Sequence, residues 1–222
     1  MLKSYTEFRH LLAQKAPNLR APKLLVCGHG SVDDPDGSII YDDVLQWIQE
    51  NVSSLSEDIT VMRLGPSDQV LNTLLSNASI VLQLSEREGF EVKVSEAIHK
   101  GKPIIATKAG GIPLQVQDQI NGYLVEVGDV QSVAKHLLQL WTDSDLYARI
   151  SSCDSEYRVS DEVSTVGQAL NWFYLCSFLS QNIRLEPDGR WIHDLARESL
   201  GQVYTKADGK LKRAVDENTP TV

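Results

Sequence analysis

The chain is short of several things, and each shortage removes a class of chemistry. Its three cysteines, Cys27, Cys153 and Cys176, lie far apart and show no metal-type pairing. Reduced thiols are therefore expected, with a cytoplasmic location. No apolar run approaches the ~20 residues that span a bilayer, and the N-terminal Met1-Leu2-Lys3-Ser4-Tyr5-Thr6-Glu7 has no apolar leader core. Positive charge is scarce: 21 Lys and Arg against 30 Asp and Glu give a net charge of −9. That balance argues against a nucleic-acid or membrane partner but leaves room for a local phosphate pocket. No Gly-rich loop ends in Lys-Ser or Lys-Thr, which excludes P-loop phosphate handling. Gly28-His29-Gly30 lacks the third glycine of a dinucleotide fingerprint. Asp33-Asp34-Pro35-Asp36-Gly37 lacks the ligand spacing and terminal Glu of an EF-hand and reads as an acidic turn. His10, His136 and His193 are scattered, and no Ser/His/Asp arrangement stands out, so neither metal nor cofactor is expected.

What is present is an ordinary α/β pattern. With 222 residues, 42% apolar and 23% charged, the chain can bury the core of one sizeable domain. Helical periodicity covers residues 4–14, 41–51, 67–76, 91–100 and 129–141. Between these lie apolar strand-like runs at 23–27, 59–64, 79–84, 104–106 and 122–125. Five strands with intervening helices predict a parallel, doubly wound, Rossmann-like sheet. Two further helices are predicted at 163–179 and about 190–200. This gives a Rossmann-like domain over 1–180, a helical segment over 181–202 and a polar, disordered tail over 203–222.

The chemistry concentrates after the strand at 79–84. Glu88 and Glu96 flank the start of an amphipathic helix, where a strand end, Gly89 and free helix N–H groups coincide. The backbone of Gly89, Phe90, Glu91, Val92 and Lys93 is positioned to present those donors to a phosphate or a developing oxyanion. Glu88 could equally be a helix-start carboxylate favoured by the macrodipole, worth less than about 1 kcal/mol. Gly110 and Gly111, after the strand at 104–106, fit either close approach to a ligand or a tight turn. His29 falls at the edge of the same predicted cleft, or is a surface loop histidine. His99-Lys100-Gly101 needs no catalytic role, since cations and a glycine ordinarily close a helix.

Arg87-Glu88-Gly89-Phe90 with Glu96, then Gly101-Lys102-Pro103-Ile104-Ile105-Ala106-Thr107 and Gly110-Gly111, resembles the signature of retaining GT-B glycosyltransferases. The segments Cys27-Gly28-His29-Gly30-Ser31-Val32-Asp33-Asp34-Pro35-Asp36-Gly37 and Gly189-Arg190-Trp191-Ile192-His193-Asp194-Leu195-Ala196-Arg197 are similar to the fungal trehalose phosphorylases and the related trehalose synthases. The resemblance covers roughly residues 1–200 and implies the C-terminal half of a GT-B fold with extra C-terminal helices. It implies trehalose or glucose, phosphate or glucose 1-phosphate, or a nucleotide-glucose, as substrates, and a homodimer is compatible with it. In such enzymes the residue matching Glu88 grips the hydroxyls of the transferred glucose. The residue matching Glu96 holds the ribose of a nucleotide donor, or in a phosphorylase is structural. The family usually has glycine where this chain has Glu91, a negative charge that Lys93 can offset. The resemblance also implies that the donor-phosphate Arg and Lys, and an acceptor half, precede the matching region, so that this chain alone is expected to be inactive.

Overall fold

The computed structural model describes residues 1–28, 36–151, 164–186 and 189–201. His29, the acidic run from Asp33 to Pro35, Cys153 and the predicted disordered tail lie outside them. The chain opens with α1 (Leu2–Lys15), which buries Tyr5, Phe8 and Leu12, the apolar positions that set its helical spacing. It continues through β1 (Leu24–Gly28), α2 (Asp36–Asn51) and a 3₁₀ turn (Ser53–Asp58) to β2 (Ile59–Arg63). Next come α3 (Asp68–Asn77), capped by Ser67 accepting from the Val70 N–H, and β3 (Val81–Gln83). Then follow α4 (Val92–His99), β4 (Ile104–Thr107), a 3₁₀ turn (Ile112–Leu114) and β5 (Gly122–Val125). Four more helices complete the order: α5 (Val130–Thr142), α6 (Ser144–Ser151), α7 (Thr165–Ser180) and α8 (Ile192–Ser199).

All five expected strands form, and every pairing is parallel. They do not form one continuous sheet. β1 pairs only with β2, while β3, β4 and β5 pair in sequence order. The two sheets nevertheless share one core, in which Leu24, Ile59, Ile105, Tyr123 and Val125 pack with Phe8, Ile48, Leu137 and Ile150. β4 is central and wholly buried, as a parallel strand covered on both faces should be. On its other face, Val94, Ala97 and Ile98 of α4 meet Ile104, Ala106 and Ile112 in a second cluster.

Two helices differ from the sequence expectation. α2 begins at Asp36 rather than Tyr41, so Asp36-Gly37 lies in a first helical turn and not in a free acidic turn. Its first part exposes Ile39 and Ile40, so no buried apolar stripe marks it in the sequence. α6 was not expected at all. It is capped by Asp143, whose Oδ1 accepts from the N–H groups of Asp145 and Leu146, and it buries Ile150. α7 packs chiefly against α8, where His193 and Ala196 are buried. No helix among the described residues is long and apolar enough to cross a membrane.

Candidate active site

β3 and β4 are adjacent parallel strands, and the segments leaving their carboxyl ends converge. Residues 84–91 lead from β3 to α4, and residues 108–111 lead from β4 to the 3₁₀ turn at Ile112. The two segments are joined by backbone. The Gly111 N–H donates to the Gly89 carbonyl at 2.6 Å. Gly110 sits at φ +53°, and a Cβ there would fall 1.9 Å from the Glu88 carbonyl oxygen. Both the left-handed backbone and the close approach require glycine. The close approach expected at Gly110 and Gly111 is thus made to the protein's own residues 88–90.

Two buried polar side chains fix this junction. The Thr107 hydroxyl donates to the Ser85 carbonyl at 2.6 Å. The Gln115 amide donates to the Phe90 carbonyl and, at 3.4 Å, to that of Gly111, while its oxygen accepts from the Ser95 hydroxyl at 2.6 Å. Gln115 therefore ties the strand-to-helix loop, the glycine turn and α4 together. Sequence reasoning missed it, because a lone glutamine after Ile112-Pro113-Leu114 carries no distinguishing pattern.

The carboxylates are arranged around one amide. Glu88 is half-buried, and its Oε1 accepts from the Ser85 hydroxyl at 2.8 Å and from Gln83 Nε2 at 3.3 Å. The same Gln83 nitrogen donates to Glu91 Oε2 at 3.2 Å. Glu91 is the N-cap of α4, in left-handed backbone at φ +58°, and its Oε1 accepts from the Lys93 N–H at 3.3 Å. The exposed Lys93 ammonium lies 3.4 Å from the same oxygen. Of the N–H groups expected to face a ligand, that of Lys93 is thus engaged by Glu91. The positive end of the α4 dipole holds this chain's own carboxylate.

Glu96 lies further along α4 on its exposed side, as do Val92 and Lys93, while Val94, Ala97 and Ile98 face the core. The structure therefore brings Glu88, Gly89, Phe90, Glu91, Lys93, Gly110 and Gly111 into one constellation. Glu96 stands apart from its hydrogen-bond network, and His29 lies outside the described residues. Phe90, Val92 and Leu114 are exposed near the carboxylates. Apolar surface beside acidic acceptors suits a sugar, whose C–H faces pack while its hydroxyls donate.

Residues 4–143 match the family model of the glycosyl transferases group 1, a span that contains this whole constellation. The chain belongs to that family. It is 52% identical to a trehalose phosphorylase of Grifola frondosa over 214 residues, which are 96% of this chain and 29% of the phosphorylase. The match falls in the C-terminal part of that longer protein. A trehalose synthase of Pyrococcus horikoshii is 32% identical over 60% of this chain and 30% of its own length. Among solved structures, the C-terminal domain of a group 1 glycosyl transferase from Francisella tularensis superposes with a TM-score of 0.54 at 26% identity. It covers 68% of this chain and 74% of that domain. The fold is thus the Rossmann-like half-domain of GT-B glycosyltransferases.

Proposed function

We propose that this group 1 glycosyl transferase chain is the donor-side half of a trehalose phosphorylase that retains anomeric configuration. The reaction is α,α-trehalose plus phosphate to glucose plus α-glucose 1-phosphate. The observation that carries the reading is the 52% identity to a trehalose phosphorylase across 96% of the chain. The site is consistent with the task such an enzyme faces. In a front-face displacement, phosphate attacks the anomeric carbon from the side on which the leaving glucose departs, and no protein nucleophile is needed. The protein must instead orient the transferred sugar and stabilise charge around the phosphate.

In this reading Glu88, held by Ser85 and Gln83, accepts hydrogen bonds from hydroxyls of the transferred glucose. The α4 N-terminus faces the phosphate, and the junction at Gly110 and Gly111 fixes the floor on which both stand. Glu91 moves off the α4 N-terminus, or is neutralised by Lys93, as phosphate enters. The protein works in the cytoplasm, without cofactor and without nucleic-acid or membrane partners.

The test is whether this chain, together with the remaining part of a trehalose phosphorylase, releases glucose from trehalose in the presence of phosphate and without nucleotide. The similarity to a trehalose synthase supports a second reading, with a nucleotide-glucose as donor. Trehalose formation from nucleotide-glucose and glucose, with no phosphorolysis, would assign that reading instead. Glu96 separates the two. If it holds a ribose, Glu96→Ala weakens use of a nucleotide donor by about tenfold or more. If the enzyme is a phosphorylase, the same change leaves phosphorolysis nearly untouched.

A further inference from the structure

Glu91 stands where three separate costs oppose it. Its backbone is left-handed at φ +58°, a conformation that glycine holds freely and that a side chain disfavours. Its carboxylate is largely withdrawn from water: 12% of the side chain is exposed, against 64% for Lys93, the ammonium 3.4 Å away. Its neighbour is a second carboxylate. Gln83 Nε2 donates to Glu91 Oε2 at 3.2 Å and to Glu88 Oε1 at 3.3 Å, so the two acidic groups stand within two hydrogen-bond lengths of each other. Capping α4 does not by itself require this residue. Ser, Thr, Asn and Asp cap better, and from ordinary extended backbone. Glu91 is held at the α4 start nonetheless, by Gln83 on one oxygen and the Lys93 N–H on the other.

We infer that Glu91 is the residue by which this site selects its donor, admitting a single inorganic phosphate and rejecting the diphosphate of a nucleotide-glucose. The inference rests on reading the site as a phosphorolytic one, and it states how the choice between the two donors is made. Any anion brought to the α4 start meets the Glu91 charge and is repelled by it. Inorganic phosphate offsets part of that repulsion, because at neutral pH it keeps an O–H that donates to a carboxylate oxygen in a charge-assisted bond. The phosphates of a nucleotide-glucose are bridged or esterified and carry no O–H at that pH. Glu91 therefore opposes them with nothing returned. Sulfate has the shape of phosphate but also lacks the O–H, so it separates the two effects. Selectivity of this kind comes from disfavouring the wrong donor more than from gripping the right one.

The experiment is titration calorimetry on residues 1–222 at neutral pH, with inorganic phosphate, sulfate and UDP-glucose as probes. The parent chain is compared with Glu91→Gly and Glu91→Gln. Each affinity is read as a ratio of variant to parent, so that contacts elsewhere in the site cancel. In Glu91→Gly, phosphate should tighten about three- to tenfold, and sulfate and UDP-glucose at least thirtyfold. Glu91→Gln keeps the length of the side chain without its charge and should move the ratios in the same order. Equal tightening of all three probes would mean that Glu91 merely blocks the helix start, and would overturn the inference. Unchanged ratios in Glu91→Gln, or no binding of any probe to Glu91→Gly, would overturn it as well. The phosphorolysis reading fails separately, through absence of phosphate-dependent glucose release, whatever these ratios are.

Discussion

Gln83 donates from one amide nitrogen to both Glu88 and Glu91, so the two acidic groups at the start of α4 share a donor. Removing Glu88 removes the acceptor aimed at the sugar. In the active enzyme, Glu88→Ala is expected to lower kcat/KM for trehalose phosphorolysis by a factor of about 10² or more, with folding unchanged by circular dichroism. Unchanged kinetics would take Glu88 out of the mechanism. Glu91 poses a different question, because it holds left-handed backbone that costs a non-glycine residue about 1–2 kcal/mol and then caps its own helix. In Glu91→Gly the relief of backbone strain offsets the lost cap, so thermal stability should hardly move. Phosphate, however, would no longer compete with a carboxylate at the α4 N-terminus. Titration calorimetry with inorganic phosphate should show binding tightened about three- to tenfold. Weaker or equal binding would mean that Glu91 does not occupy the anion seat. The clustering of Glu88, Gly89, Gly110 and Gly111 was legible, because strand ends followed by glycine mark the carboxyl edge of a parallel sheet, and the structure brings these residues together. Gln83, Thr107 and Gln115 were not, since their roles depend on contacts between segments and not on local spacing.

At the scale of elements, the loop after β3 and the turn after β4 behave as one unit. Gly110→Ala would force a Cβ into the Glu88 carbonyl and pry the two apart. A cost of about 2 kcal/mol or more follows, seen as a melting temperature lowered by roughly 4–8 °C in a domain of this size. A stable, fully active Gly110→Ala variant would show that this contact is dispensable. α1 is fastened near its middle by Arg9, which donates at 2.5 Å to Asp58, the last residue of the 3₁₀ turn. The hydrogen bond and charge of Arg9 hold the Asp58 carboxyl below its ordinary value. Its stabilisation is therefore present above the unfolded carboxylate value of about 3.9 and is lost as pH falls through the lower folded value. Asp58→Asn should cost at most about 1 kcal/mol near neutrality, and its melting temperature should converge with that of the parent protein in acid. A penalty for this substitution that persists at low pH would locate the effect in packing instead. The same scale shows where periodicity stops informing. α1, α3, α4 and α5 bury regular stripes or carry caps and were readable. The start of α2 exposes its isoleucines, and α6 hangs on a cap and one buried Ile150, so neither announced itself. The split of the sheet was illegible for another reason. An apolar run reports that a strand is buried, not which strand lies beside it.

Across the whole molecule, the exposed apolar groups mark where this half-domain expects company. Phe90, Val92 and Leu114 stand open at the site, Leu25 on β1, and Val166, Trp172, Phe173 and Leu179 along α7. α7 is apolar nearly all round yet buries only Gly167, an arrangement found in helices covered by a neighbour. The longer relatives carry more than twice as much further sequence, since this chain matches 29% of the phosphorylase. In the proposed reaction this site would supply sugar acceptors and helix N–H groups, but Glu88 and Glu91 stand at the α4 start, and of the cations in the two segments Lys93 is paired with Glu91, Lys108 with Glu126, and Arg87 is exposed to solvent. Electrostatic stabilisation of the reacting phosphate commonly contributes more to catalysis than any other effect, and the described residues around the site provide little of it. Residues 1–222 alone should therefore turn over trehalose and phosphate far below the ordinary enzyme scale of about 1–10³ s⁻¹ in either direction. Adding the remaining part of a trehalose phosphorylase as a separate polypeptide should raise that rate and bring the two into one complex. Ordinary turnover by residues 1–222 on their own would show that the site is complete as it stands, and that the exposed apolar surfaces serve something other than a missing half.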